Sequence, residues 1–129
     1  MHPPNVFLLV EGHLRVREGL ARRLQRCPSV QTVAASGTVE AAERLAEDSG
    51  ADLVIYDPRT VPGDAADALR RLGRDKRPVV VLTPSLQEDE GAVLRQAGAA
   101  AVLLKGAEMP ALSAWIERAS AARGNACAP

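Results

Sequence analysis

A chain of 129 residues makes one domain, long enough to bury roughly two-thirds of its unfolded surface without disulfides. Its 16 basic and 16 acidic residues cancel, so bulk charge gives it no hold on nucleic acid or an acidic membrane. Its two cysteines, Cys27 and Cys127, make neither a C-x-x-C pair nor a zinc-ligand spacing with histidine, and read as unrelated thiols in a reducing compartment.

The opening Met1-His2-Pro3-Pro4 lacks the basic stretch and apolar core of a signal peptide. No apolar run nears the roughly 18 residues that span a bilayer, so a cytoplasmic protein without a membrane partner is expected. Val6 to Val10 reads as a first strand. A helix opens at Gly12 and His13 and runs to about Arg26, with Val16, Leu20 and Leu24 on one face, until Cys27-Pro28-Ser29 stops it. Val30 to Ala35 is a more polar strand suited to a sheet edge. Thr38 caps the next helix, with Glu40 and Arg44 at ion-pair spacing, and Ser49-Gly50 ends it.

Leu53 to Asp57 is the central strand. The loop Pro58-Arg59-Thr60-Val61-Pro62-Gly63 leads to a helix capped by Asp64, with Ala65, Ala68, Leu69 and Leu72 inward. Arg70, Arg71, Arg74, Lys76 and Arg77 close that helix as cations at the negative end of its dipole. No aromatic residues interleave them, which argues against a nucleic-acid surface. Val79 to Leu82 is the fourth strand, and Ser85 with Glu88 has the spacing of a capping box for a helix through Ala97, ended by Gly98. Ala101 to Leu104 is the fifth strand. Pro110 begins a last helix with Leu112, Trp115, Ile116 and Ala119 on one face. Residues 1–122 form the domain, and 123–129 are expected to be a flexible tail.

Short, continuous Val, Leu and Ile runs mark strands buried on both faces, hence a parallel sheet covered by helices. Five strands alternating with five helices predict a doubly wound α/β fold, a three-layer αβα sandwich. Ligands of open parallel sheets sit outside the carboxyl ends of the strands. Four of these runs end on Glu11, Asp57, Thr83 and Lys105, so one site is expected there. Lys105 is placed to answer the charge of Asp57. Glu11 can be an anion at a helix N-terminus, and His13 reads as a surface residue at a helix start.

With these residues marked, the chain resembles the receiver domain of bacterial response regulators from about Val6 to Ala119. The likeness is greatest to receivers that precede a LuxR-type DNA-binding helix-turn-helix. Val10-Glu11-Gly12-His13 with Val16-Arg17-Glu18-Gly19-Leu20 reads like that group's V-D-D-H…V-R-E-G-L, and Ala97-Gly98-Ala99 with Leu103-Leu104-Lys105 like its A-G-A…L-L-K. The resemblance implies a five-stranded parallel sheet in the order 2-1-3-4-5. It also implies Asp57 as phosphoacceptor, Lys105 and Thr83 as the residues that bind the phosphoryl group and switch with it, and Mg2+ held by Glu11, Asp57 and the Arg59 backbone carbonyl. A sensor histidine kinase, another signalling protein or a second copy is the implied partner, with no direct nucleic-acid contact and no enzymatic turnover.

Four positions depart from the family pattern. Gly12 stands where a second acid holds the metal and supplies no side-chain oxygen. Pro84 follows the switch hydroxyl and lacks the N–H that would hold a phosphoryl oxygen. Val102 replaces a ring that swings with the switch, and Pro62 lies five residues after Asp57, where the family's proline lies four after its aspartate. Two readings follow: an atypical receiver phosphorylated on Asp57 with an impaired metal site, or a phosphorylation-independent module for dimerisation or docking. A flavin- or nucleotide-binding protein on the same fold lacks support, because no glycine-rich phosphate loop follows the first strand.

Overall fold

The computed structural model describes residues 5–26, 30–106 and 109–122. The Cys27-Pro28-Ser29 stop, Cys127 and the tail 123–129 lie outside them. Elements alternate as β1 (Asn5–Val10), α1 (Leu14–Gln25), β2 (Val30–Ser36), α2 (Val39–Ser49), β3 (Leu53–Tyr56), α3 (Ala65–Leu72), β4 (Val79–Thr83), α4 (Glu90–Gln96), β5 (Ala101–Leu104) and α5 (Met109–Ala122). A 3-10 turn, Arg74–Lys76, follows α3. The five strands pair in parallel in the order β2-β1-β3-β4-β5. The expected sandwich, strand order and edge position of β2 are all present.

The pleat explains why the strands carry no polar alternation. Leu8 and Val10 of β1 face one layer with Val39, Ala42, Leu69, Leu72 and Leu94, while Phe7 and Leu9 face Leu20, Leu24, Leu112 and Ile116 on the other. Every residue of β3 and β4 is buried. The helix starts follow their caps: the side chains of His13, Thr38 and Asp64 accept from the N–H groups of Val16, Ala41 and Asp67. Gly50 ends α2 in the left-handed region at φ 65°, a conformation that glycine adopts without strain.

Two expectations are corrected. The Ser85 and Glu88 capping box does not form. Residues 84–89 run as a loop, and α4 begins at Glu90 behind Asp89, which makes no side-chain cap. The reach-back occurs two residues later, where Glu90 accepts from the Gln87 N–H at 2.8 Å. The Ser85 carbonyl serves Thr83 and Arg59, which holds the chain out of a helix there. Glu40, expected to meet Arg44, pairs with Arg71 of α3 at 3.7 Å. Tertiary proximity thus overrides the spacing along one helix, and Arg71 also binds Glu43 and Asp67.

The register brings the functional ends together. Val10 pairs with Tyr56, which sets Glu11 beside Asp57, and Thr83 pairs with Leu104, one residue before Lys105. At the opposite end of β3 the Asp52 carboxylate accepts from the Val6 N–H at 2.9 Å and stitches β1 to the chain entering β3. Of the two carboxylates flanking that strand, one is structural and one faces the site.

Leu72 is fully buried and Val93 is 60% exposed. Leu72→Ala is expected to cost about 2–5 kcal/mol in urea unfolding, and Val93→Ala less than about 0.5 kcal/mol. Equal losses would show that the layer between the sheet and α3 is not the close-packed core described.

Candidate functional site: two carboxylates bridged by a lysine

Glu11, Asp57 and Thr83 leave the sheet one residue beyond, or at, the ends of β1, β3 and β4, and are 1%, 2% and 1% exposed. Backbone bonds fix their placing: the Asp57 N–H donates to the Val10 carbonyl at 3.1 Å, the Glu11 N–H to Ser36 at 2.9 Å and the Lys105 N–H to Thr83 at 2.8 Å. Buried ions need partners. The Lys105 ammonium supplies one to both acids, donating to Asp57 Oδ2 at 2.5 Å and to Glu11 Oε1. The expected pairing of Lys105 with Asp57 is present, and its second bond, to Glu11, was not foreseen.

The remaining carboxylate oxygens are also engaged. Glu11 Oε2 accepts from the Thr60 hydroxyl at 2.6 Å and from the His13 N–H at 2.9 Å. Asp57 Oδ1 accepts from the Arg59 N–H at 2.8 Å. The Arg59 side chain reaches away, donating to the Ser85 carbonyl at 3.4 Å and to Glu90 at 2.5 Å. Thr83 likewise turns its hydroxyl to the Ser85 carbonyl, at 3.3 Å. Pro84 is exposed, and Val102 is buried in the core layer that contains Tyr56.

Burial alone raises the Glu11 carboxyl, but the bonds from Lys105, Thr60 and His13 outweigh it and hold the group below its ordinary value. Burial likewise lowers the Lys105 ammonium, and its bonds to Asp57 and Glu11 more than reverse this. The pair is therefore ionised at neutral pH. Negative charge extends to Tyr56, whose phenol is pushed up to about 12 by burial, then by Asp57 and Asp64.

Two facing carboxylates are a natural beginning for Mg2+, which takes oxygen ligands in octahedral geometry. As arranged, these do not fit it. A cationic nitrogen lies between them, Gly12 adds no oxygen, and no group of three or more His, Cys, Asp or Glu placed to hold a metal occurs among the described residues. Arg59 meets Asp57 through its N–H. Thr60 and the Arg59 to Glu90 bridge were missed in the sequence because no spacing rule links a loop hydroxyl to an acid 49 positions earlier, or a loop arginine to a helix 31 positions on.

Fold and strand-end residues together are similar to those of response-regulator receiver domains. Over 115 residues the chain is 27% identical to the transcriptional regulatory protein LiaR of Bacillus subtilis strain 168, covering 88% of this chain and 54% of LiaR. It thus spans about half the length of that relative. A LuxR-family response regulator from Aurantimonas sp. SI85-9A1 superposes with a TM-score of 0.75 at 25% identity, covering 94% of this chain and 86% of that one. The BeF3-activated N-terminal receiver domain of Klebsiella pneumoniae RstA gives 0.77 at 24% identity, over 87% and 95% of the two chains, and shares the fold. No family model matches the chain. No helix among the described residues is long and apolar enough to cross a membrane.

Removing Lys105 leaves two buried carboxylates face to face. Lys105→Met is expected to cost about 3–5 kcal/mol at pH 7, with the deficit shrinking on acidification as one carboxyl takes a proton. A deficit independent of pH would mean that Lys105 acts by packing alone. Because Glu11 sits below its ordinary value, its contribution is present above the unfolded value of 4.5 and is lost as pH falls through the folded one. Urea titrations from pH 3 to 7 are expected to show a shallower acid-side slope in Glu11→Gln than in the parent; parallel slopes would exclude Glu11 as the source.

Proposed function

We propose that this chain is an atypical response-regulator receiver that acts by contact with another protein and does not depend on phosphoryl transfer to Asp57. The observation that carries this reading is the Lys105 ammonium bonded to both Glu11 and Asp57, beside a glycine at position 12. Two carboxylates against one ammonium leave the cluster at a net charge of −1. A phosphoryl group adds about −1.5 to −2 more, and phosphoryl transfer depends on compensating that charge, commonly with metal ions. Of the other cations nearby, Arg59 is engaged with Glu90 and Arg17 donates to the Glu11 carbonyl at 2.9 Å. Thr83 points its hydroxyl at Ser85, and Pro84 has no N–H to offer. The partners assigned are a sensor histidine kinase, another signalling protein or a second copy, in the cytoplasm, with signalling and not turnover as the outcome.

A second reading, Asp57 as phosphoacceptor, is favoured by one feature. Asp57 Oδ2 is held by the strand-end lysine, and among the described residues Oδ1 meets only a backbone N–H, which leaves it lone-pair density for attack on phosphorus. Beryllofluoride, added with and without Mg2+ and followed by Trp115 fluorescence and by resonance shifts around Asp57, separates the two. No saturable change at millimolar Mg2+, together with unaltered partner binding by Asp57→Asn, is the expected result. Saturable Mg2+-dependent binding that Asp57→Asn abolishes would overturn the first reading in favour of the second.

A further inference from the structure

Position 12 is more than a missing acid. A Cβ built on Gly12 lies 2.7 Å from the Thr60 carbonyl carbon, closer still to its oxygen, and 3.3 Å from the Thr60 Cβ. Ordinary carbon contacts begin near 3.5 Å, and the obstacle is backbone, which cannot rotate away. The same threonine holds itself there. Its hydroxyl accepts from the Gly12 N–H at 3.0 Å and donates to Glu11 Oε2 at 2.6 Å, so one group serves both residues after β1. The Val61 N–H donates to the Asp57 carbonyl at 3.3 Å, and the buried Val61 side chain anchors the far side of the turn.

We infer that Thr60 and Gly12 form a plug that closes the carboxylate pair against divalent cations, with Thr60 as the residue that sets this selectivity and Lys105 as the resident counter-ion. The Thr60 carbonyl fills the space that any side chain at position 12 would need, including that of a third carboxylate. Its hydroxyl and the His13 N–H together occupy the outer oxygen of Glu11, and Lys105 takes the inner one. A cation seeking oxygen ligands would have to displace a hydroxyl, an ammonium and a turn of backbone together. The inference deepens the reading of a site that works without metal, yet it concerns how the loop after β3 seats on β1 and can fail separately.

The test is a double-mutant cycle with a metal readout. Gly12→Ala is expected to destabilise the parent. In a Thr60→Gly background, where the hydroxyl tie is gone and the loop can withdraw, the penalty is expected to shrink by about tenfold in the unfolding constant, a size found for residues in direct contact. Thr60→Gly alone keeps the fold and supplies the reference. Mn2+ binding, followed by water-proton relaxation, is expected to be at least about tenfold tighter in Gly12→Asp combined with Thr60→Gly than in the parent, since a third carboxylate then completes an oxygen-rich site. The inference is overturned if the Gly12→Ala penalty is the same in both backgrounds, if the parent binds Mn2+ as tightly as the double variant, or if the double variant folds without gaining Mn2+. Mg2+-dependent beryllofluoride binding by the parent would overturn both the functional reading and the exclusion of divalent cations, whereas Mg2+-independent binding would remove the functional reading alone.

Discussion

An ammonium held between two buried carboxylates is the interaction on which the rest of this molecule's functional end depends. Removing three charges from water costs several kcal/mol for each ion, and only close, fully bonded geometry returns that cost. The sheet provides the geometry. Glu11, Asp57 and Lys105 come from the ends of β1, β3 and β5, and the parallel register brings those ends to one edge. The backbone groups around them are tied to neighbouring strands, so the side chains converge with little freedom left to lose.

Around that triad the loops are arranged as a closed set. The chain after β3 folds over the end of β1, lays a carbonyl against Gly12 and lends its hydroxyl to Glu11. Arg59, one residue earlier, uses its N–H on Asp57 and its guanidinium on Ser85 and Glu90, joining the carboxylate to the loop before α4. Thr83 ends at the same Ser85 carbonyl. The positions that depart from the receiver pattern lie within or beside this network. Gly12 admits the loop, Pro84 begins the segment that Thr83 and Arg59 hold, and Val102 is buried in the core layer that contains Tyr56.

The triad and the basic face of α3 are neutralised in different ways. At the site, charge is buried and saturated. On α3, Arg70 meets Asp67 and Arg71 meets Glu40, Glu43 and Asp67, while Arg77, beyond the 3-10 turn, donates to the carbonyls of Ala51 and Leu72. Exposed pairs of that kind contribute little each, but together these contacts join α2, α3 and the chain entering β3. The arginine run that looks like a charged helix end is partly a set of ties between elements.

Some of this was written in local patterns that need no partner to be read. Apolar runs too short for helices and too continuous for half-exposed strands specified a parallel sheet covered on both faces, and the residues ending those runs marked the site. Thr38 and Asp64 declared their helices because a cap acts within three residues of itself. Ser85 and Glu88 carried the same local signal and failed, because the Ser85 carbonyl is claimed by Thr83 and by Arg59 from another loop. The sequence by itself determined the layers, the strand order through the receiver resemblance, and the meeting of Asp57 with Lys105. Only the tertiary structure decided that Lys105 would also hold Glu11, that Thr60 would seat on Gly12, and that Arg59 would reach Glu90. Those contacts join residues 31 to 94 positions apart, and a separation of that kind becomes a distance only after the sheet has closed.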